Sequence, residues 1–191
     1  MNYIGTKTIV TERLKLRKIN KNDYKKAYKN WCSIDEVVKY VTWSKHNDMQ
    51  ETKVVYDSFI ENYSDKKYFM WLIELKDRKE PIGTISVSRK FIDHGTCEIG
   101  YCIGNSFWNN GYMTEAVQAV ISFLFDKCNA LIVCAEHLSN NPASGRVMQK
   151  CNMKCEGTLR SRIFDKDNIR NDLVVYSITK EEYLKTKINK S

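Results

Sequence analysis

The period of hydrophobic and polar positions changes several times along the chain, and each change marks an element. Residues 12–19 (ERLKLRKI) alternate, with Leu14, Leu16 and Ile19 on one side and Arg13, Lys15 and Arg17 on the other, the pattern of a half-buried strand. Asn20 and Asn22-Asp23 offer helix caps, and Tyr24, Ala27, Tyr28 and Trp31 then recur at helical spacing. Ser33-Ile34-Asp35-Glu36 has the form of a capping box, opening a short second helix through Val37, Val38 and Val41. A polar loop at 43–48 leads to a longer helix over 49–63, with Val54, Val55, Phe59 and Ile60 as its apolar face.

The period then drops to that of strands. Residues 69–75 (FMWLIEL), 81–91 and 96–103 (TCEIGYCI) are separated by a charged turn at 76–80 and a tight turn at Asp93-His94-Gly95, which predicts an antiparallel meander. Helical spacing returns after Gly111, with Ala116, Val117, Val120, Ile121, Leu124 and Phe125 on one face. Residues 130–137 (ALIVCAEH) are almost continuously apolar, as expected of a strand buried on both faces. Asn141-Pro142 starts another helix as N-cap and first helical residue, with Val147, Met148 and Cys151 facing inward. Asn152 is suited to end it in the left-handed conformation. Two strands follow, 153–164 and 170–179, joined by a turn at Asp165-Lys166-Asp167-Asn168, and a short basic helix closes the chain. The strands at 97–103 and 130–137 flank a helix, so they are expected to lie parallel. The order predicts a single domain over 1–191 of α+β (mixed α/β) class, with a mixed sheet and helices on both faces.

Composition narrows the setting without changing this picture. The chain has 191 residues, 42% hydrophobic and 28% charged, enough apolar material for one core. The N-terminus lacks the apolar run of a signal peptide and no stretch approaches a membrane span, so a cytoplasmic protein with no membrane partner is expected. The formal net charge of +8 suits an anionic ligand, but the lysines are dispersed and no basic stripe with interleaved aromatics marks a nucleic-acid partner. Seven cysteines, an odd number without a CxxC, predict buried reduced thiols rather than disulfides or a metal site.

The chemistry concentrates in residues 97–125, CEIGYCIGNSFWNNGYMTEAVQAVISFLF. A strand, a turn at Gly111 and a helix N-terminus aim backbone N–H groups at one point, where an anion such as a phosphate is the expected occupant. Here the residues resemble a known family. TERLKLRKINKNDY, EIGYCIGNSFWNNGYMTEAV, NPASGRVMQKCNMKCEG and DLVVYSIT are similar, in that order, to segments of the GNAT superfamily of acyl-CoA-dependent N-acetyltransferases. The branch most resembled includes the ribosomal-protein N-terminal (alanine/serine) acetyltransferases.

The resemblance implies a GNAT-like fold, a twisted, mixed, mostly antiparallel sheet of about seven strands in which two central strands splay apart. Coenzyme A would insert between 97–103 and 130–137. Its pyrophosphate would sit on Trp108, Asn109, Asn110, Gly111, Tyr112, Met113 and Thr114, and Asn141 and Ser144 would contact the pantetheine arm. Trp108, Asn110 and Met113 depart from the family's usual residues, so phosphate binding would rest on backbone amides. Glu98 is the candidate base, because acetyl transfer needs a deprotonated amine and an acidic residue serves at this strand position in relatives. The N–H groups around Tyr101, Cys102 and Ile103 would stabilise the oxyanion. Ser144 would act on the leaving sulfur, by hydrogen bond or relay.

The implied activity is transfer of acetyl from acetyl-CoA to a primary amine (protein N-terminus, peptide or small molecule) by direct attack in a ternary complex, without a metal. The acceptor would meet residues 31–46 and the hairpin at 164–171, with Tyr40, Trp43 and Tyr112 as candidate lining. The enzyme would work as a monomer or homodimer. A non-catalytic acyl-CoA-binding or sensing module is the alternative, motivated by the departures at Trp108 and Asn110.

Overall fold

The structure is a computed structural model that describes residues 1–88, 92–165 and 169–188. One sheet of eight strands organises it, in the order β1-β2-β3-β4-β5-β6-β8-β7. The strands are β1 (Ile9–Val10), β2 (Leu14–Arg17), β3 (Phe69–Leu75), β4 (Glu80–Ser88), β5 (Thr96–Ile103), β6 (Ile132–Leu138), β7 (Lys154–Phe164) and β8 (Arg170–Thr179). All neighbours are antiparallel except β5 and β6, which run parallel as the strand–helix–strand order requires. The strand beyond the expected seven is β1, two residues that pair with Leu16 and Lys15 and are too short to show a period.

Among the described residues six helices cover the two faces: α1 (Asp23–Ala27), α2 (Asp35–Val38), α3 (Met49–Glu61), α4 (Tyr112–Asp126), α5 (Pro142–Lys150) and α6 (Lys180–Ile188). Alternation along β5 sorts its side chains between them. Cys97, Ile99, Tyr101 and Ile103 join the apolar cluster of α4 and α5, whereas Cys102 joins the cluster under α1 and α3. β3 lies between the two layers and is buried at every position, which explains its unbroken apolar sequence.

Several expectations about the helices are corrected. α1 continues into a π-helical turn, Tyr28–Cys32. The Ser33 hydroxyl and N–H both donate to the Tyr28 carbonyl, at 2.7 and 3.1 Å, so Ser33 closes that turn and does not cap α2, whose N-cap is Ile34. On α3, Val54 is 60% exposed, and Thr52 and Tyr56 are buried instead. Thr52 is accommodated because its hydroxyl meets His46 Nδ1 at 2.8 Å, which also buries a histidine of the predicted polar loop. β6 is not buried on both faces. Val133, Ala135 and His137 are buried while Glu136 on the opposite face is exposed. Among the thiols, all seven are free as expected, but Cys155 is exposed. The end of the expected strand at 89–91 and the turn residues 166–168 lie outside the described residues.

One polar network ties the first layer to the sheet. Arg17 on β2 donates to Asp23 at the start of α1 (2.7 and 3.0 Å) and to Glu74 on β3 (2.8 Å), with all three side chains largely buried. Burial opposes the Arg17 charge, but its two carboxylate partners outweigh it and hold the guanidinium pKa above the usual value. No helix among the described residues is long and apolar enough to cross a membrane.

Candidate active site

β5 and β6 pair only at Thr96, Cys97 and Glu98 against Ile132, Val133 and Cys134. Beyond Glu98, β5 stays with β4 as far as Ile103, while β6 stays with β8 as far as Leu138. The strands therefore part at Glu98, and a cleft of about 1390 Å³ runs through the opening. The N–H of Gly104 donates to the Ile82 carbonyl on β4, at 2.9 Å. By strand alternation Cys102 and Gly100 also turn their backbone toward β4, and Tyr101 and Ile103 turn theirs to the opened side. Of the three expected oxyanion donors, Tyr101 and Ile103 face the gap, while the Cys102 N–H faces β4. The Cys102 thiol lies 3.3 Å from the Thr84 hydroxyl.

The loop before α4 has the geometry of an anion cradle. Asn109 (φ 61°) and Gly111 (φ 77°) are both left-handed, and Gly111 is the N-cap of α4 without any side-chain cap. The first intrahelical bond runs from Glu115 N–H to the Gly111 carbonyl at 3.0 Å, so the N–H groups of Tyr112, Met113 and Thr114 have no partner within the helix. The three departures from the family's usual residues have structural explanations. Trp108 Nε1 donates to the Ile103 carbonyl at 2.9 Å and ties the loop to β5. Asn110 Nδ2 donates to the Trp108 carbonyl at 2.8 Å, and Met113 is buried in the core.

A cation reaches this loop from elsewhere in the chain. Arg13 donates from Nη1 to the Asn110 carbonyl at 2.9 Å and lies over the Tyr112 ring, 4.6 Å from its centroid. Its Nε meets Glu115 at 2.7 Å. Sequence reasoning placed Arg13 only on the polar side of a strand; a contact spanning 97 residues leaves no local signal. Burial works to raise the Glu115 carboxyl, but the Thr11 hydroxyl and the Arg13 N–H and guanidinium hold it below its usual range. The stability Glu115 contributes is thus present above the ordinary carboxylate pKa and is lost as pH falls through the depressed value.

Gly111→Ala is expected to cost about 1–2 kcal/mol for the left-handed backbone alone. An added Cβ would meet nothing nearer than Arg13 Nη2 at 3.5 Å. Urea unfolding checks the stability, and a several-fold weaker affinity for coenzyme A in calorimetry checks the cradle.

On α5, Asn141 is the N-cap and its side-chain oxygen accepts from the Ser144 N–H at 3.4 Å. Asn152 takes the left-handed conformation after the helix (φ 59°). The Ser144 hydroxyl lies 3.0 Å from the Tyr101 hydroxyl, which also donates to the Ser144 carbonyl. Sequence reasoning valued Tyr101 for its backbone and missed this phenol. Burial pushes the phenol well above its ordinary pKa, against the lowering contact with Ser144, so Tyr101 keeps its proton. His137 has its ring against α5. A Cβ on Gly145 would lie 2.7 Å from His137 Nε2, so this glycine lets the helix carrying Ser144 approach β6. Arg146 and Lys150 are exposed on α5 and line the cleft.

Glu98 lines the same cleft, half-buried, on the opposite face of β5 from Tyr101. Burial pushes the Cys97 thiol up to about 12 and raises Cys102, which keeps both as protonated thiols rather than nucleophiles. Among the described residues no group of three or more His, Cys, Asp or Glu is placed to hold a metal ion. The free N–H groups at the α4 terminus, the left-handed loop and the parted strands suit a long anionic thioester such as acetyl-CoA.

Comparison with known proteins agrees with this geometry. Residues 13–154 match the family described as Acetyltransferase (GNAT) domain. The chain is 32% identical over 170 residues to the uncharacterized N-acetyltransferase YoaA of Bacillus subtilis, covering 89% of this chain and 95% of that protein. It superposes on the crystal structure of a GNAT-family acetyltransferase from Bacillus anthracis with a TM-score of 0.81 and 27% identity, over 92% of this chain and all of that one (100%). The fold is also shared with the ribosomal L7/L12 α-N-protein acetyltransferase RimL in complex with coenzyme A, at a TM-score of 0.82, 18% identity, and coverage of 92% and 99%. The chain belongs to the GNAT family of acetyl-CoA-dependent acetyltransferases.

Proposed function

We propose that this acetyltransferase modifies a primary amine by direct attack in a ternary complex, and that the amine belongs to a protein N-terminus, a peptide or a small molecule. One observation carries the reading. Where β5 leaves β6, a single short stretch presents Glu98 on one face and the Tyr101 phenol, beside Ser144, on the other.

Acetyl-CoA supplies an activated acyl group with a thiol leaving group. Glu98 takes a proton from the attacking amine, directly or through water. As the new C–N bond forms, the Tyr101 and Ile103 N–H groups stand where negative charge develops on the carbonyl oxygen. As the C–S bond breaks, the Ser144 and Tyr101 hydroxyls offer a hydrogen bond to the departing sulfur, which takes a proton relayed through Ser144 from solvent and leaves as coenzyme A. The amine proton then leaves Glu98 for solvent. Tyr101 is held protonated, so it serves as a donor throughout the working pH range. The backbone of the α4 N-terminus and Asn141 would hold the coenzyme. The raised thiol pKa values support direct attack over a cysteine-bound acetyl group. The seven free cysteines support a reducing, cytoplasmic setting. The fold shared with an α-N-protein acetyltransferase supports a protein N-terminus as one acceptor class.

Calorimetry with purified protein should detect coenzyme A binding, and a panel of amines should release thiol from acetyl-CoA. Absence of binding at millimolar coenzyme would overturn the proposal.

A further inference from the structure

Three side chains hold the backbone that leads from β5 into α4. Trp108 Nε1 donates to the Ile103 carbonyl at 2.9 Å, Asn110 Nδ2 to that of Trp108 at 2.8 Å, and Arg13 Nη1 to that of Asn110 at 2.9 Å. The third donor comes from just before β2 and is itself fixed. Arg13 Nε meets Glu115 Oε2 at 2.7 Å, and the guanidinium lies over the Tyr112 ring. Glu115 Oε1 accepts from the Arg13 backbone N–H at 2.9 Å and from the Thr11 hydroxyl at 2.6 Å.

The peptide that Arg13 holds is the one that carries the Gly111 N–H. In a trans peptide the carbonyl and the N–H point in opposite directions, so the contact turns the Gly111 N–H away from Arg13. No described residue accepts a hydrogen bond from it. Gly111 (φ 77°, ψ 0°) is left-handed and Tyr112 is helical, an alternation that gathers the N–H groups of 111, 112 and 113 around one concavity. Gly111, Tyr112 and Met113 line the cleft, and Arg13 is not among its lining residues. Arg13 therefore stands behind the cradle. It also brings little net charge there, because the Glu115 carboxylate pairs with its guanidinium.

We infer that Arg13 is a positioning residue for coenzyme A: by holding the Asn110 carbonyl it keeps the Gly111 N–H aimed at the pyrophosphate. This deepens, and rests on, the placing of the coenzyme at the α4 terminus proposed above. A loop amide turns freely when its peptide plane rotates, and a bond at the opposite end of that plane removes the freedom before the ligand arrives. The side chains of residues 108–112 carry no charge, so the direction of the N–H groups decides how well the pyrophosphate is met. Lysine would keep the charge at position 13 but present one nitrogen in place of the planar Nε and Nη1 pair, and it would hold Glu115 and the Asn110 carbonyl less well.

The test is calorimetric binding of coenzyme A and dephospho-coenzyme A, which share the pyrophosphate. It is joined by transfer from acetyl-CoA and from acetylpantetheine, which has no phosphate, to an amine that the wild-type protein acetylates. Arg13→Gln should weaken both coenzymes about tenfold, as the loss of one hydrogen bond from a charged donor would. The KM for acetyl-CoA should rise with kcat within about twofold, and kcat/KM for acetylpantetheine should stay within about twofold of wild type. Arg13→Lys should remain at least about threefold weaker than wild type for coenzyme A. Glu115→Gln, which frees the guanidinium to turn toward the phosphates, should also weaken coenzyme A by at least about threefold. Wild-type affinity in Arg13→Gln would overturn the inference. Full recovery in Arg13→Lys, or tighter binding in Glu115→Gln, would make Arg13 a direct phosphate cation and overturn it too. Equal loss with acetylpantetheine would reduce Arg13 to a support of the fold. Wild-type protein that uses acetylpantetheine as well as acetyl-CoA would instead take down the placing of the coenzyme at α4.

Discussion

Glu98→Gln should lower kcat by about 10²–10⁴-fold at neutral pH, the range over which a positioned general base contributes. That is about 2.7–5.4 kcal/mol of barrier. The substitution keeps size and polarity and removes only the capacity to accept a proton. Glu98 accepts no side-chain hydrogen bond from the described residues and sits at the end of the β5–β6 ladder, so folding and coenzyme A affinity should remain at wild-type values. The pH profile separates a base from a structural carboxylate. Without Glu98, reaction waits for amine that has already lost its proton, so the variant's rate should climb toward the acceptor's own pKa, about 8 for an α-amino group. A variant within threefold of wild type at pH 7 would remove Glu98 from the chemistry.

Arg17→Met should be the largest single loss of stability, about 3–5 kcal/mol, because it strands two buried carboxylates at once. Asp23 and Glu74 are only 9% and 8% exposed. In a chain of this size that corresponds to a fall in Tm of roughly 6–20 °C. Calorimetric unfolding reads it directly. The double variant Arg17→Met/Glu74→Leu should recover part of the loss by removing one stranded charge, and a double variant no more stable than the single would contradict that account. The network seats α1, and α1 leads into the π-helical turn that walls the acceptor side, so the same variant should raise the acceptor KM more than the KM for acetyl-CoA.

How much was legible depended on whether a signal was local. β3 and β5 could be read from their sequences because burial on one or both faces imposes a period or an unbroken run. Gly111 and Asn152 could be read as left-handed because few residue types tolerate that backbone. Asn141-Pro142 marked α5 for a similarly local reason. Ser33 misled because a serine three residues before Glu36 satisfies the capping pattern, yet the π-helical turn behind it competes for the same hydroxyl. α3 misled only at Val54, because Val55, Phe59 and Ile60 do pack against the core, and tertiary packing adds Tyr56 and a hydrogen-bonded Thr52 to that face. The Tyr101–Ser144 pair and the Arg13 contact with the 108–111 loop join distant segments, and no period or motif encodes such a meeting. The residue types at the candidate site were visible in the sequence, and the alternation that sends Cys102 toward β4 emerged only with strand register.

A tight contact joins the two halves of the cleft. A Cβ on Gly104, at the end of β5, would fall 2.3 Å from the carbonyl oxygen of Asn30 in the π-helical turn, and the Asn30 side chain donates to the Pro81 carbonyl at 2.8 Å. Backbone meets backbone there with no slack. For anyone retuning acceptor choice, positions 30 and 104 are therefore a fixed pivot that a mutational library should leave alone. Variation belongs at Gly100, Ser86 and Trp43, where the chain meets open space or side-chain tips and a change in shape need not travel to the coenzyme strand.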